Sequence, residues 1–465
     1  MKRRSGIKIM LLVLGLSAGL TGLLLSAGGS AQPVTGRPTA IPTPSPVRPP
    51  LLAAALGTDA PVPTAAGLAA ALGARLQDGR LGEGPAFAVV DVLTGQVLLS
   101  NRPGAPVVPA STAKIATAVG VLLATDPGQR LRTRVLAGPL PGDVVLVGGG
   151  DPTLAGPAAG PSPFGAAQLV DLAAQTRTAL GSGQVRRVLV DDRLFTGPST
   201  GADWKPGYVS SGNVAPVMAL SLDGGRIRPD QPAREADPAL AAGRALARLL
   251  VSAGPSAGPA SEPISVERGA GVPGAAVLGA VLSPPVPVLV GQMLERSDND
   301  LAEALTRQVA LARGLPASFV GGAQAVAAVL TSFAGADTAA GIVLQDGSGL
   351  SRSNQVQPVA LAALLGRAAR DPRLRPLLTG LPVAGFDGTL TLRFLGPGAA
   401  PAAGEVRAKT GTLEGVSALA GLVRTASGRL LAFDLTAEGT LRAGTPGAEA
   451  ALDDLAAVLA SCGCR

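Results

Sequence analysis

The apolar positions of the chain change period from one stretch to the next, and the periods predict its elements. Order is expected from about residue 62, where LAAALGARLQDGRL carries helical spacing. PAFAVVDVLTGQVLLSN reads as two strands folded about a Thr94-Gly95 turn. In TAKIATAVGVLLATD the residues Ile115, Ala118, Val119 and Leu122 recur at 0, 3, 4 and 7, which predicts a helix set in the core, with Pro109 marking its start. From about residue 135 the texture becomes short strands between Gly and Pro turns, as in LRTRVLAGPLPGDVVLVGGGDPTL and QVRRVLVDDRLF, and this β-like character continues to about 285. Helical spacing returns in VGQMLERSDNDLAEALTRQVAL. The chain then ends in strands with a hairpin at Ala426-Ser427-Gly428 and a last helix, ALDDLAAVLAS. No fixed-period repeat interrupts this order. It predicts one α/β domain made from both ends of the chain, with a β-rich module inserted in its middle.

The first 31 residues are of another kind. A basic start, MKRRSGIK, precedes an apolar stretch from Ile9 to about Leu25 and then small residues, with Gly29 and Ala31 suited to a signal-peptidase site. An uncleaved anchor is the competing reading, since so long an apolar stretch nearly spans a bilayer. Either reading exports the rest, to the cell envelope or beyond. QPVTGRPTAIPTPSPVRPP follows as an extended Pro/Thr-rich linker. The expected organisation is thus a signal peptide or anchor over 1–31, a linker over 32–58, a first part of the catalytic domain over 59–135, an inserted domain over 136–285, and the second part over 286–465.

The net charge of +7 owes four units to the N-terminus; beyond residue 31 there are 35 basic against 32 acidic residues, and no basic run. That is no nucleic-acid footprint. Aromatics make up only 2% of the chain, so cores must be built from Ala, Val and Leu. The two cysteines, Cys462 and Cys464, can pair with each other, though a C-x-C ring is tight; a metal site and an inert terminal thiol pair are the other readings.

The chain contains no histidine. A Ser-His-Asp triad and a Cys-His pair are impossible, His-based zinc sites are excluded, and two cysteines cannot complete a Cys-only site. GGGDP lacks the ending of a P-loop. No metal and no cofactor is expected, and a hydrolase here must activate its nucleophile differently.

Lysine supplies the means. Arginine occurs 34 times and lysine five times, and beyond the first ten residues only Lys114, Lys205 and Lys409 remain. Lys114 follows Ser111 by three residues, one helical turn away on the same face. Burial can make a lysine neutral and therefore a base, whereas arginine stays protonated. An ordinary helix-face serine and a solvated lysine would read the same. A second element, Ser297-Asp298-Asn299, can point a hydroxyl and an amide into a cleft or simply cap the helix that follows. A third, Lys409-Thr410-Gly411-Thr412, reads as a strand that can take a peptide along its edge, with Gly411 marking close approach of another backbone.

The order S-x-x-K, S-x-N, K-T-G resembles the penicillin-binding proteins and serine β-lactamases. The 186 residues from Ser111 to Ser297 resemble the D-alanyl-D-alanine carboxypeptidase/endopeptidase family, the low-molecular-mass class C penicillin-binding proteins, which carry an insert there. GGGDPTL, DDRLFTGPSTGADW, APVMALSLDGG and QDGSGLSRSN match that family's style. Many relatives have two nested inserts; this one is long enough for one. The resemblance implies a transpeptidase fold, an antiparallel sheet with helices on both faces plus a helical subdomain. It further implies Ser111 as nucleophile, Lys114 as general base, Ser297 as proton relay, and Asn299 as orienter of Lys114 and the substrate amide. Lys409 and Thr410, with Gly411, would hold the substrate carboxylate, and the backbone N–H groups of Ser111 and Thr412 would form the oxyanion hole. Peptidoglycan stem peptides are then the substrate and β-lactams covalent inhibitors. The alternatives are a β-lactamase, against which stand the missing E-x-x-L-N glutamate and the serine at 297, and a non-catalytic envelope protein. Asp346, Ser348 and Ser351 in DGSGLSRSN lie near the cleft in that family, or merely shape a turn. Trp204 and Tyr208 read as anchors of the insert, and Lys205 as a surface charge.

Overall fold

The computed structural model describes residues 59–160, 164–252 and 263–464, all belonging to the compact unit 49–465. The expected signal peptide or anchor and the linker lie outside the described residues. The strands in chain order are β1 (Ala86–Asp91), β2 (Val97–Asn101), β3 (Arg130–Ala137), β4 (Asp143–Val147), β5 (Arg187–Asp191), β6 (Ser265–Arg268), β7 (Val277–Pro285), β8 (Ile342–Val343), β9 (Gln355–Val356), β10 (Val406–Leu413), β11 (Val416–Arg424) and β12 (Leu430–Glu438).

The two ends of the chain meet in one antiparallel sheet of order β10-β11-β12-β1-β2. Strands β1, β11 and β12 are buried nearly throughout because both faces are covered. Leu419, Val423, Leu431 and Phe433 pack on the side of helices Ala65–Leu76 and Gly444–Ser461. Ala420, Leu422 and Ala432 pack on the opposite side, against Lys114–Ala124, Val286–Arg296, Phe319–Ala334 and Pro358–Ala368. The fold is the expected one, an antiparallel sheet between helical layers.

The middle of the chain builds a second sheet, β6-β5-β4-β3-β7, beginning at Arg130 and ending at Pro285. Here β3 runs antiparallel to β4 and β7, while β4, β5 and β6 are parallel. Parallel neighbours need crossovers, and the helices Leu169–Leu180 and Pro238–Ser252 supply them. The module therefore holds more helix than its run of short strands predicts. The signal was present: Leu169, Leu172, Ala173 and Thr176 are buried at helical spacing, but flanking Gly and Pro dominate the local texture. At the C-terminus Cys462 and Cys464 form a disulfide, and the Cys464 carbonyl accepts from Thr64 N–H, 3.0 Å.

Candidate active site

Ser111 lies in a single 3-10 turn, Ala110–Ala113, that runs directly into helix Lys114–Ala124. Ala110 is left-handed (φ +48°), a backbone conformation costly for a side-chain-bearing residue. The turn is wedged between two glycines. A Cβ on Gly349 would stand 1.9 Å from the Ala110 carbonyl oxygen, and one on Gly411 would stand 2.6 Å from that of Pro109. Gly411 is thus where β10 lets another backbone approach, the role its place in a strand suggests.

Lys114 is fully buried. Its Nζ lies 2.8 Å from Ser111 Oγ, 2.7 Å from Asn299 Oδ1, and within hydrogen-bond reach of the Ser348 carbonyl. Burial drives its pKa down to about 8, against the upward pull of Asp346, Glu303, Asp298 and Asp300. Asn299 Nδ2 donates to the Asn213 carbonyl, 2.8 Å, and this bond turns Oδ1 toward the lysine. A neutral amine has two hydrogens and one lone pair. Asn299 Oδ1 and the Ser348 carbonyl only accept, so they take the hydrogens. The lone pair is left for the one neighbour that can donate, the Ser111 hydroxyl.

The S-x-N element divides its labour. Asp298 caps helix Asn299–Ala312 by accepting from Leu301 N–H, 2.9 Å, so the capping role does exist, and Ser297 and Asn299 stay free for the site. Ser297 is left-handed (φ +56°) at the end of helix Val286–Arg296. Lys409 on β10 is buried; its Nζ donates to Ser297 Oγ at 2.8 Å and to the Thr410 carbonyl at 3.0 Å. Burial first and the Lys114 charge second hold Lys409 well below the usual ammonium range. Thr410 Oγ1 meets Thr389 Oγ1 at 2.9 Å, and Thr412 Oγ1 donates to Glu449, 3.0 Å.

These side chains border a cleft of about 530 Å³ that Ser111, Ser297, Asn299, Thr410 and Thr412 line directly. Asn213, Thr389, Arg393 and Glu449 line it too, and no sequence motif had singled them out. Lys205, an exposed surface charge as expected, lies at the rim of the cleft and pairs with Glu414. The 346–351 loop is built into the site: Asp346 accepts from the N–H groups of Gly349 and Ser351 and from Trp204 Nε1, 2.7 Å. Ser351 Oγ donates to Asp203. Trp204 stacks edge-on against Phe319, 5.3 Å between centroids, which anchors the inserted module to the helical layer. Among the described residues no group of three or more His, Cys, Asp or Glu is arranged to hold a metal ion.

Comparison with known proteins identifies the family. The sequence profile of the D-Ala-D-Ala carboxypeptidase 3 (S13) family matches residues 68–236 and 230–459. The chain belongs to that family. It is 42% identical over 416 residues to the carboxypeptidase DacB of Mycolicibacterium smegmatis, covering 87% of this chain and 86% of that one. It is 40% identical over 441 residues to a carboxypeptidase of Mycobacterium tuberculosis, covering 91% and 90%. Penicillin binding protein 4 of Haemophilus influenzae shares the fold, with a TM-score of 0.65 at 22% identity over 84% of this chain and 97% of that one. The S13 enzyme described here is accordingly a hydrolase, a D-Ala-D-Ala carboxypeptidase, as the three motifs led one to expect.

Proposed function

We propose that the enzyme removes the terminal D-alanine from peptidoglycan stem peptides through an acyl-enzyme on Ser111. The observation that carries this reading is the arrangement around the buried Lys114 Nζ, which lies within hydrogen-bond reach of Ser111 Oγ, Asn299 Oδ1 and the Ser348 carbonyl. Lys114 takes the serine proton as Oγ attacks the carbonyl of the penultimate D-alanine. The N–H groups of Ser111 and Thr412 receive the developing oxyanion. Ser297, held by Lys409, passes a proton to the leaving amine nitrogen, and Asn299 orients both Lys114 and the substrate amide. The substrate carboxylate docks at Thr410, beside Gly411 and above the buried Lys409; because Lys409 Nζ is engaged by Ser297, the hydroxyls make the direct contacts. Water then releases the shortened peptide from Ser111.

A β-lactam presents a carboxylate and a strained amide to the same groups, so it acylates Ser111 and stays. A β-lactam complex is known for Haemophilus influenzae penicillin binding protein 4. Cross-linked peptides are a second substrate class for the same chemistry. The family's substrate places its work outside the cytoplasm, and the first 31 residues are the export signal or anchor. Among the described residues no helix is long and apolar enough to cross a membrane.

The test is the intact mass of residues 32–465 after brief incubation with benzylpenicillin, followed by peptide mapping and by D-alanine release from stem peptides. A lasting adduct on Ser111 and released D-alanine are expected. Hydrolysed drug without adduct would make the protein a β-lactamase, and untouched drug with no D-alanine would leave a binding protein.

A further inference from the structure

Behind Lys114 lies a buried charged assembly that the proposed chemistry does not use. Glu303 and Arg307 are successive turns of helix Asn299–Ala312, and their side chains are 0% and 1% exposed. Glu303 Oε1 accepts from two consecutive backbone N–H groups, Gly347 at 3.0 Å and Ser348 at 2.8 Å. Its Oε2 pairs with Arg307 at 3.2 Å. Arg307 Nη1 donates to Glu303 Oε2 and to the Glu303 carbonyl, 3.1 Å, and the rest of the guanidinium is held by rings. It lies 4.2 Å from the Phe319 centroid and 5.6 Å from that of Phe195, and its Nε and second terminal nitrogen have no hydrogen-bond partner. Phe195 comes from the inserted module.

The turn that Glu303 grips is the one that faces the base. Ser348 offers its N–H to Glu303 and its carbonyl to Lys114 Nζ. Gly347 offers its carbonyl to Thr117 Oγ1, 2.8 Å, one helical turn beyond Lys114. A Cβ on Gly347 would fall 1.9 Å from Thr306 Oγ1, so the turn is seated directly on the helix that carries Glu303. We propose that Glu303 is a positioning residue for the reaction. Through the Gly347-Ser348 turn it fixes the carbonyl that claims one Lys114 hydrogen, and its negative charge acts on the Lys114 ammonium. This rests on Lys114 being the base.

The titratable groups around Lys114 are Glu303 and Asp300 on the same helix, Asp298 before it, Asp346 in the loop, and Lys409 on β10. Facing Glu303 are Arg307 and Asp346. Burial raises the Glu303 carboxyl to about 7, so it is ionised in the range near 8 where Lys114 loses its proton. There its charge favours the protonated amine, and removing that charge must lower the pH at which Lys114 becomes a base.

The test is the rate of acylation by a chromogenic cephalosporin across pH 5 to 10, for the wild-type enzyme and Glu303→Gln. The acid limb is expected to move down by about one pH unit, and the plateau to fall on the order of tenfold as the turn loosens. A limb that stays in place, whatever the plateau does, overturns the proposal and leaves Glu303 a packing residue. Glu303→Asp keeps the charge but shortens the reach to the two N–H groups, so it should keep the limb and lose rate. A Glu303→Asp enzyme at wild-type rate overturns the proposal even if the glutamine variant does not fold. A wild-type profile with no acid limb would remove Lys114 as the base and this inference with it; a wild-type limb that Glu303→Gln leaves unmoved would sink only the inference.

Discussion

Lys409 Nζ donates to Ser297 Oγ at 2.8 Å, joining residues 112 positions apart from two different motifs. The bond orients the Ser297 hydroxyl and keeps the amine under the cleft floor rather than in it. Lys409→Met removes that bond and the buried amine together. Acylation by benzylpenicillin should slow roughly 10²- to 10³-fold, read as adduct formation over time by mass spectrometry. Adduct formation at the wild-type rate would show that the carboxylate-binding side of the cleft needs neither.

Ser111→Ala should abolish the adduct. Lys114→Arg should come close to it, with a loss of roughly 10²- to 10⁴-fold, because a guanidinium cannot be a base. The pH dependence follows from burial. Lys114 is protonated and inactive below its pKa of about 8, so acylation should climb with pH toward 8 and level off above it. A profile flat from pH 6 to 9 would contradict the assignment of the base.

Gly349 tests the seat of the nucleophile. Its φ is +85°, and an added Cβ would lie 1.9 Å from the Ala110 carbonyl oxygen. Gly349→Ala is expected to lower stability by about 2 kcal/mol and to cut acylation more than in proportion, since the turn that moves carries Ser111. Denaturant melts and adduct kinetics on the same preparation separate the two effects. Unchanged kinetics would mean that the wedge is not needed to place Ser111.

Asp434 gives a prediction about stability alone. It lies in one cross-strand row with Lys409, Ala420 and Ala88, fully buried, and its Oδ2 has no partner. Burial raises its pKa from 3.8 to about 7. The folded state therefore holds the proton more tightly than the unfolded one. The stability this contributes is complete below about pH 4 and is lost as pH rises through 7. Asp434→Asn should leave stability near pH 4 little changed and raise it at pH 8 by on the order of 2 kcal/mol. Parallel urea melts at the two pH values check this, and equal effects at both would refute it.

Much of the site was legible in the residues. Ser111 and Lys114 are close in sequence, one helical turn apart, and an arginine-rich chain that keeps a lysine there points to a base. Gly411 in a strand signalled close approach, and the approaching backbone is that of Pro109. The cap reading of Ser-Asp-Asn does not exclude its catalytic one, because Asp298 caps while its neighbours face the cleft. The crossover helices of the insert were obscured by Gly and Pro around them, although their buried residues keep helical spacing.

The sequence by itself determined the elements of the catalytic domain, the exclusion of histidine chemistry, and the three motifs, because those depend on residue type and on spacing within a turn or a strand. Only the tertiary structure decided which groups surround Lys114. Ser348 stands 234 residues from it, and Asn213, which holds Asn299 against it, 99 residues; no local period links either to a lysine. Their contacts exist because the antiparallel sheet brings the two ends of the chain together and the insert folds back over the cleft. The same packing buries Lys114 and lowers its pKa. That basicity is a property of the assembled interior, since an exposed lysine of identical sequence context would remain protonated.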